Sequence, residues 1–185
     1  TLRATVETHV HADHVTAASL LRERTGCDII VPRGGGVSGA TRTVGAGDTI
    51  GVGGHTLEVR PTPGHTASCT SYVHHPGEMV FTGDTLFIRG CGRTDFQGGD
   101  ARTLYRSVHE QIFALPDNYR IYPGHDYKGR TMSTVAEERV WNPRLGGGRS
   151  EEAFVAIMDD LDLSDPKLMD VAVPANLEVG RSALS

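Results

Sequence analysis

Four short stretches each follow a strand-like run with a histidine or an aspartate. They are Thr8-His9-Val10-His11-Ala12-Asp13-His14, Gly64-His65-Thr66, Gly83-Asp84-Thr85 and Gly124-His125-Asp126. Loops at strand ends are where a rigid scaffold presents reactive groups. Brought to one sheet edge, His9, His11, His14, His65 and His125 with Asp13 and Asp84 offer five imidazoles and two carboxylates. That donor set could hold two metal ions, with Asp84 as the bridge. In extended backbone His9 and His11 point the same way, because side chains alternate with period two. Three histidines and an aspartate within six residues have no packing rationale. A lone Gly-His or Gly-Asp does occur in plain turns, so His65, Asp84 and His125 gain weight from occurring together. His55, His74, His75 and His109 lack such a context and read as surface or hydrogen-bonded core histidines.

The elements that must position these groups follow from the apolar pattern. Arg3 to Glu7 reads as a strand, and Val15, Ala18 and Leu21 recur at helical spacing after the first motif, with Gly26 as the cap. Cys27 to Val31 is a buried strand, and 33–47 leaves room only for short strands. Thr49–Val52 and His55–Arg60 flank Gly53-Gly54 as a hairpin whose two turn positions both accept positive φ. Cys69–Val73 and Met79–Thr82 form a second hairpin. Asp100 caps a helix through Leu115, Arg120–Tyr122 is a strand, and Thr134 with Glu137 makes a capping box for a helix ending near Asn142-Pro143. Ser150 caps a last helix that buries Phe154, Ile157, Met158 and Leu161. Its acidic continuation from Glu151 to Asp165 reads as a solvated face and turn. Mixed strands and helices without strict βαβ alternation indicate an α/β or α+β chain.

The chain has 185 residues, enough for a single domain over 1–185. Its formal charge of −5 argues against a nucleic-acid binder, which needs a basic face. No run approaches the roughly 20 apolar residues of a membrane span. Cys27, Cys69 and Cys91 form no CxxC pair, so a disulfide framework or zinc ribbon is not indicated, and a reducing compartment is the expected setting. The chain opens Thr1-Leu2-Arg3 without an initiator methionine or targeting pattern, as if an upstream segment were missing.

The motifs THVHADH, GHT, GDTLF at Gly83 to Phe87 and GHDY at Gly124 to Tyr127 resemble the metallo-β-lactamase superfamily in its glyoxalase II-like section, over essentially the whole chain. That resemblance implies a four-layer αββα sandwich with the metal site at one edge of its two sheets, and N-terminal strands that would precede Thr1. A finer resemblance is to the persulfide (sulfur) dioxygenases. It rests on Ile88 to Gly99 (IRGCGRTDFQGG), Leu104-Tyr105, Ser107 to Glu110, Tyr122 to Tyr127, Asn142 to Leu145 and Val173-Pro174-Ala175-Asn176. Glyoxalase II enzymes carry a helical glutathione-binding extension after the GHDY region, and only a short tail follows here.

The residues alone leave one ion or two open, and iron or zinc open. The dioxygenase resemblance implies one Fe(II) per chain on His9, His65 and Asp84, a 2-His-1-carboxylate triad with positions left for substrate and O₂. His11, Asp13, His14 and His125 would then orient ligands and water. The implied reaction takes glutathione persulfide, O₂ and water to glutathione and sulfite. Arg93 is the first candidate to grip a glutathione carboxylate and Tyr127 could donate its hydroxyl nearby, whereas Cys91 reads as a small half-buried thiol. The alternative is a dizinc glyoxalase II-like thioester hydrolase (a hydroxyacylglutathione hydrolase), with all seven groups on metal. A homodimer, a rhodanese-type functional neighbour and a cytoplasmic location, or the mitochondrial matrix in a eukaryote, complete the expectations.

Overall fold

The computed structural model describes residues 1–181. They fall into two compact units, one of Thr1–Val44 with the segment from Asp162 onward, the other of Gly45–Leu161.

The first unit holds a parallel three-stranded sheet, β1 (Ala4–Val6), β2 (Asp28–Pro32) and β3 (Arg42–Val44), in the order β1-β2-β3. The central strand β2 carries the continuous apolar run Ile29-Ile30-Val31, which suits a parallel strand covered on both faces. Helix α1 (Ala18–Thr25) connects β1 to β2 and ends at Gly26, whose φ of 71° is the left-handed cap. The helix starts three residues later than the apolar spacing from Val15 predicts, and Leu21 is exposed. The reason is local. The backbone between His11 and Thr16 is hydrogen-bonded to a side chain, Asn176, instead of forming a first helical turn. Asn176 belongs to α5 (Met169–Leu177), a helix absent from the sequence reading because Pro174 lies inside it. Val179, just beyond α5, packs with Ala18, Ile29 and Val31.

The second unit holds six strands in sequential order: β4 (Thr49–Val52), β5 (His55–Pro61), β6 (Thr70–His74), β7 (Met79–Gly83), β8 (Arg120–Pro123) and β9 (Ser133–Thr134). All neighbours are antiparallel except β7 and β8. Strands β5, β7 and β8 therefore run in one direction, and their C-terminal ends lie along one sheet edge. His65, Asp84 and His125 follow those three ends. Both expected hairpins form, although only Gly53 of the first turn has positive φ. Helix α2 (Ala101–Ser107) begins at Asp100, whose side chain accepts the Thr103 N–H, and its last turn widens to π-helical over Val108–Ile112. The helical run thus ends before Leu115. Helix α3 (Val135–Trp141) has the Thr134 cap, and α4 (Glu151–Asp159) has the Ser150 cap. Leu86, Leu104, Val108, Ile112, Ile121 and Phe154 make the core between sheet and helices.

Leu104 is fully buried, and its backbone lies where a Cβ on Gly64 would sit, 2.4 Å away. Leu104→Ala should cost about 2–5 kcal/mol, the usual range for an unfilled buried leucine site. Denaturant unfolding measures this, and a loss below about 1 kcal/mol would show that the site refills by collapse.

Candidate metal centre

In the second unit His65 and Asp84 are brought together almost free of solvent, with side-chain exposures of 9% and 11%. The His65 Nδ1 lies 2.7 Å from the Arg93 carbonyl oxygen. A carbonyl can only accept, so Nδ1 carries the proton and Nε2 is left as the basic nitrogen. That Nε2 is 3.7 Å from Asp84 Oδ2, too far for a hydrogen bond and close enough for both atoms to ligate one ion. His125 Nδ1 lies 2.8 and 3.0 Å from the two Asp84 oxygens and fixes the carboxylate plane.

The turn after β7 rests on buried hydroxyls. Thr62 bonds to Ser71 and Thr85, and Thr82 donates to the Leu86 carbonyl at 2.7 Å. The following loop presses directly on the two candidate ligands. Gly92 donates its N–H to the Asp84 carbonyl at 2.8 Å, and a Cβ there would stand 2.4 Å from that oxygen and 2.8 Å from the His65 ring. A Cβ on Gly124 would stand 2.6 Å from Asp84 Oδ1. These glycines are required by close approach.

The Arg93 guanidinium forks onto Asp95, with two bonds of 2.6 Å, and lies 4.6 Å from the centre of the Phe96 ring. The hydrogen bonds from Arg93 hold the Asp95 carboxyl below its ordinary range. A substrate carboxylate arriving at Arg93 would have to share or displace Asp95. Tyr127 is exposed, with its ring parallel to that of His125 and a further contact to Phe87. Cys91 is fully buried rather than half-buried. Burial pushes its thiol up to about 11, and does the same to Cys69. The remaining histidines have local partners: His55 with His74, His75 with Glu58 and Tyr119, and His109 stacked on Tyr105.

The first unit carries the other four candidates. His9 is buried and bonded to Thr8. The rings of His9 and His11, and of His11 and His14, have centroids 4.3 Å apart. His11, Asp13 and His14 each place one ligand atom within 4.8 Å of the others. Two residues that sequence reasoning gave no role hold this motif. Glu7 accepts from His11 Nε2 at 3.1 Å and from the Thr16 hydroxyl at 2.5 Å. Burial alone would raise the Glu7 carboxyl, but those hydrogen bonds outweigh it and hold it below the ordinary value. Asn176 donates to the carbonyls of His11 at 2.8 Å and His14 at 2.7 Å, and accepts the Thr16 N–H at 2.8 Å. Glu7 could have been suspected from its place two residues before His9. Asn176, some 160 residues away from Thr16, is marked in sequence only by the tail motif Val173-Pro174-Ala175-Asn176, which assigns it no role.

Imidazole and carboxylate donors suit a first-row transition ion. The buried Nδ1 of His11, which has no hydrogen-bond partner among the described residues, is the kind of orphan atom an ion would satisfy. The residues therefore fit a metal.

Residues 1–125 match the family model of the metallo-beta-lactamase superfamily. The chain is 52% identical to the persulfide dioxygenase ETHE1, mitochondrial, of Mus musculus over 95% of its own length and 68% of that protein. The crystal structure of ETHE1 from Myxococcus xanthus superposes with a TM-score of 0.93 at 50% identity, covering 98% of this chain and 79% of that one. A hydroxyacylglutathione hydrolase of Rhizobium meliloti is 43% identical over 65% of this chain and 46% of its own. The mixed α/β fold predicted from the motifs is thus that of these relatives.

Gly92→Ala should leave the chain folded and displace the His65 ring or the Asp84 backbone by a few tenths of an ångström or more. Metal affinity should fall about 10–100-fold, as for lost ligand orientation. Titration of metal-free protein measures it, and wild-type affinity would show that the loop yields instead.

Proposed function

The chain belongs to the persulfide dioxygenase family of the metallo-β-lactamase superfamily, and on that premise we propose that it oxidises glutathione persulfide with O₂ and water to glutathione and sulfite, using one ferrous ion per chain. The observation that carries this reading is extent taken with identity. The persulfide dioxygenase likeness runs through nearly the whole chain at 52% identity, while the hydroxyacylglutathione hydrolase likeness covers about two thirds of it and a probable metallo-hydrolase that matches nearly the whole chain is only 37% identical.

In this proposal the chain is one domain, and His9, His65 and Asp84 are the ligand set that the motifs and the family imply. Ferrous iron so held supplies redox chemistry with O₂ that zinc lacks. The protein's own part is orientation. The Arg93 carbonyl keeps the His65 proton on Nδ1, and His125 holds the Asp84 carboxylate. Glu7 and Asn176 fix the backbone and rings around His11 and His14. With Cys69 and Cys91 kept protonated by burial, the reacting sulfur belongs to the substrate and not to the enzyme. Arg93, in exchange with Asp95, receives a glutathione carboxylate, and Tyr127 lends its hydroxyl at the same mouth. Three free buried thiols agree with a reducing compartment, cytoplasmic or the matrix of a mitochondrion. A homodimer and a rhodanese-type sulfurtransferase as functional neighbour belong to the same proposal.

Protein purified without chelator should hold one iron per chain and consume oxygen on glutathione persulfide. Two tightly held zincs with no oxygen uptake would overturn the assignment. Asp84→Ala should lose the iron, and stoichiometric retention would contradict its role as ligand. Arg93→Ala should raise KM for the glutathione substrate more than it lowers kcat, and an unchanged KM would return Arg93 to its pairing with Asp95 alone.

A further inference from the structure

Glu138, on α3, has no exposed surface, yet it is a carboxylate. Burying one is costly unless it is fully surrounded by donors. Its oxygens accept from the Arg89 backbone N–H at 2.8 Å, the Ser133 hydroxyl at 2.6 Å and the Asn142 amide at 3.0 Å, and they pair with the Arg89 guanidinium. Packing α3 on the sheet needs none of this, because an apolar side chain would serve.

What the carboxylate grips is the loop that carries Gly92 and Arg93. Arg89 is held at a φ of 62°, a conformation that non-glycine residues adopt only when their surroundings impose it. One residue on, the Gly90 carbonyl accepts from the same Asn142 amide at 3.1 Å. Two residues further the Gly92 N–H donates to the Asp84 carbonyl, and then the Arg93 carbonyl accepts a hydrogen bond from His65 Nδ1. A continuous line of hydrogen bonds and short backbone steps therefore joins a buried charge on α3 to the ring of a candidate metal ligand.

We propose that Glu138 is a positioning residue for His65: by locking Arg89 in its left-handed conformation, it places the Arg93 carbonyl so that His65 keeps its proton on Nδ1 and presents Nε2 to a metal. This rests on the metal-centre reading of His65 and Asp84 and extends it to a residue remote from the ion.

The test uses Glu138→Gln, which keeps the volume and removes the charge. In metal-free protein with 15N-labelled histidine, NMR should show His65 as the Nδ1–H form in the wild type and as a mixture in the variant. Anaerobic titration with Fe(II) alone should show affinity lower by about 10–100-fold, the range for a lost partner of a ligating histidine. Phe154→Leu, in the same core but off this line, serves as the control for lost stability. If Glu138→Gln does not fold, Asn142→Ser takes its place, with the same shifts in the same direction expected. Unchanged tautomer and iron affinity in a folded variant would overturn the proposal. So would an equal loss of iron affinity in Phe154→Leu at matched stability. Oxygen uptake by the wild type on glutathione persulfide is read separately. Its absence would end the dioxygenase reading and leave the role of Glu138 to be decided by the tautomer and the affinity.

Discussion

The candidate ligands of the second unit depend on one hydrogen bond, from His65 Nδ1 to the carbonyl of Arg93. An imidazole has two nitrogens and ordinarily divides its proton between them. Only a fixed acceptor at one side makes the other a committed ligand. Here the acceptor is a backbone carbonyl, which neither titrates nor rotates independently of its loop. The loop's own conformation thus becomes part of the coordination chemistry. This accounts for the density of anchoring around residues 88–93: Arg130 on the Ile88 carbonyl, Asn142 on that of Gly90, Arg144 on that of Cys91.

The first unit solves the same problem differently. Its ligand candidates sit in an irregular stretch, where backbone groups lack regular partners and would otherwise need water. Asn176 supplies them from a helix near the end of the described chain, and Glu7 binds the His11 ring from the preceding strand. Using an amide side chain in place of a helical turn costs α1 its first residues. In return the backbone through the HxHxDH motif is held by fixed protein groups.

Much of this was legible in the residues. Strand runs, both hairpins and the caps at Asp100, Thr134 and Ser150 depend on local chemistry, and local chemistry is what a sequence displays. The ligand candidates were legible because histidine and aspartate after strand ends have little else to do. The rest depends on long-range pairing. Nothing near Glu138 in sequence shows that its carboxylate will meet Arg89, 49 residues away. Nothing near Pro174 shows that a helix will tolerate it and deliver Asn176. The stripe beginning at Val15 misled for the same reason: a distant amide took its backbone groups. Cys91, expected to be half-buried, is fully buried because its glycine-rich loop is packed down onto Met158 and the core.

All three cysteine sulfurs lie in the interior. A catalyst that handles sulfane sulfur works beside an electrophile able to transfer that atom to any accessible thiolate. Such a chain would label itself, and each turnover would risk leaving a hydrodisulfide on its own surface. Sequestration removes the acceptor. Packing thereby shields those side chains from the chain's own chemistry.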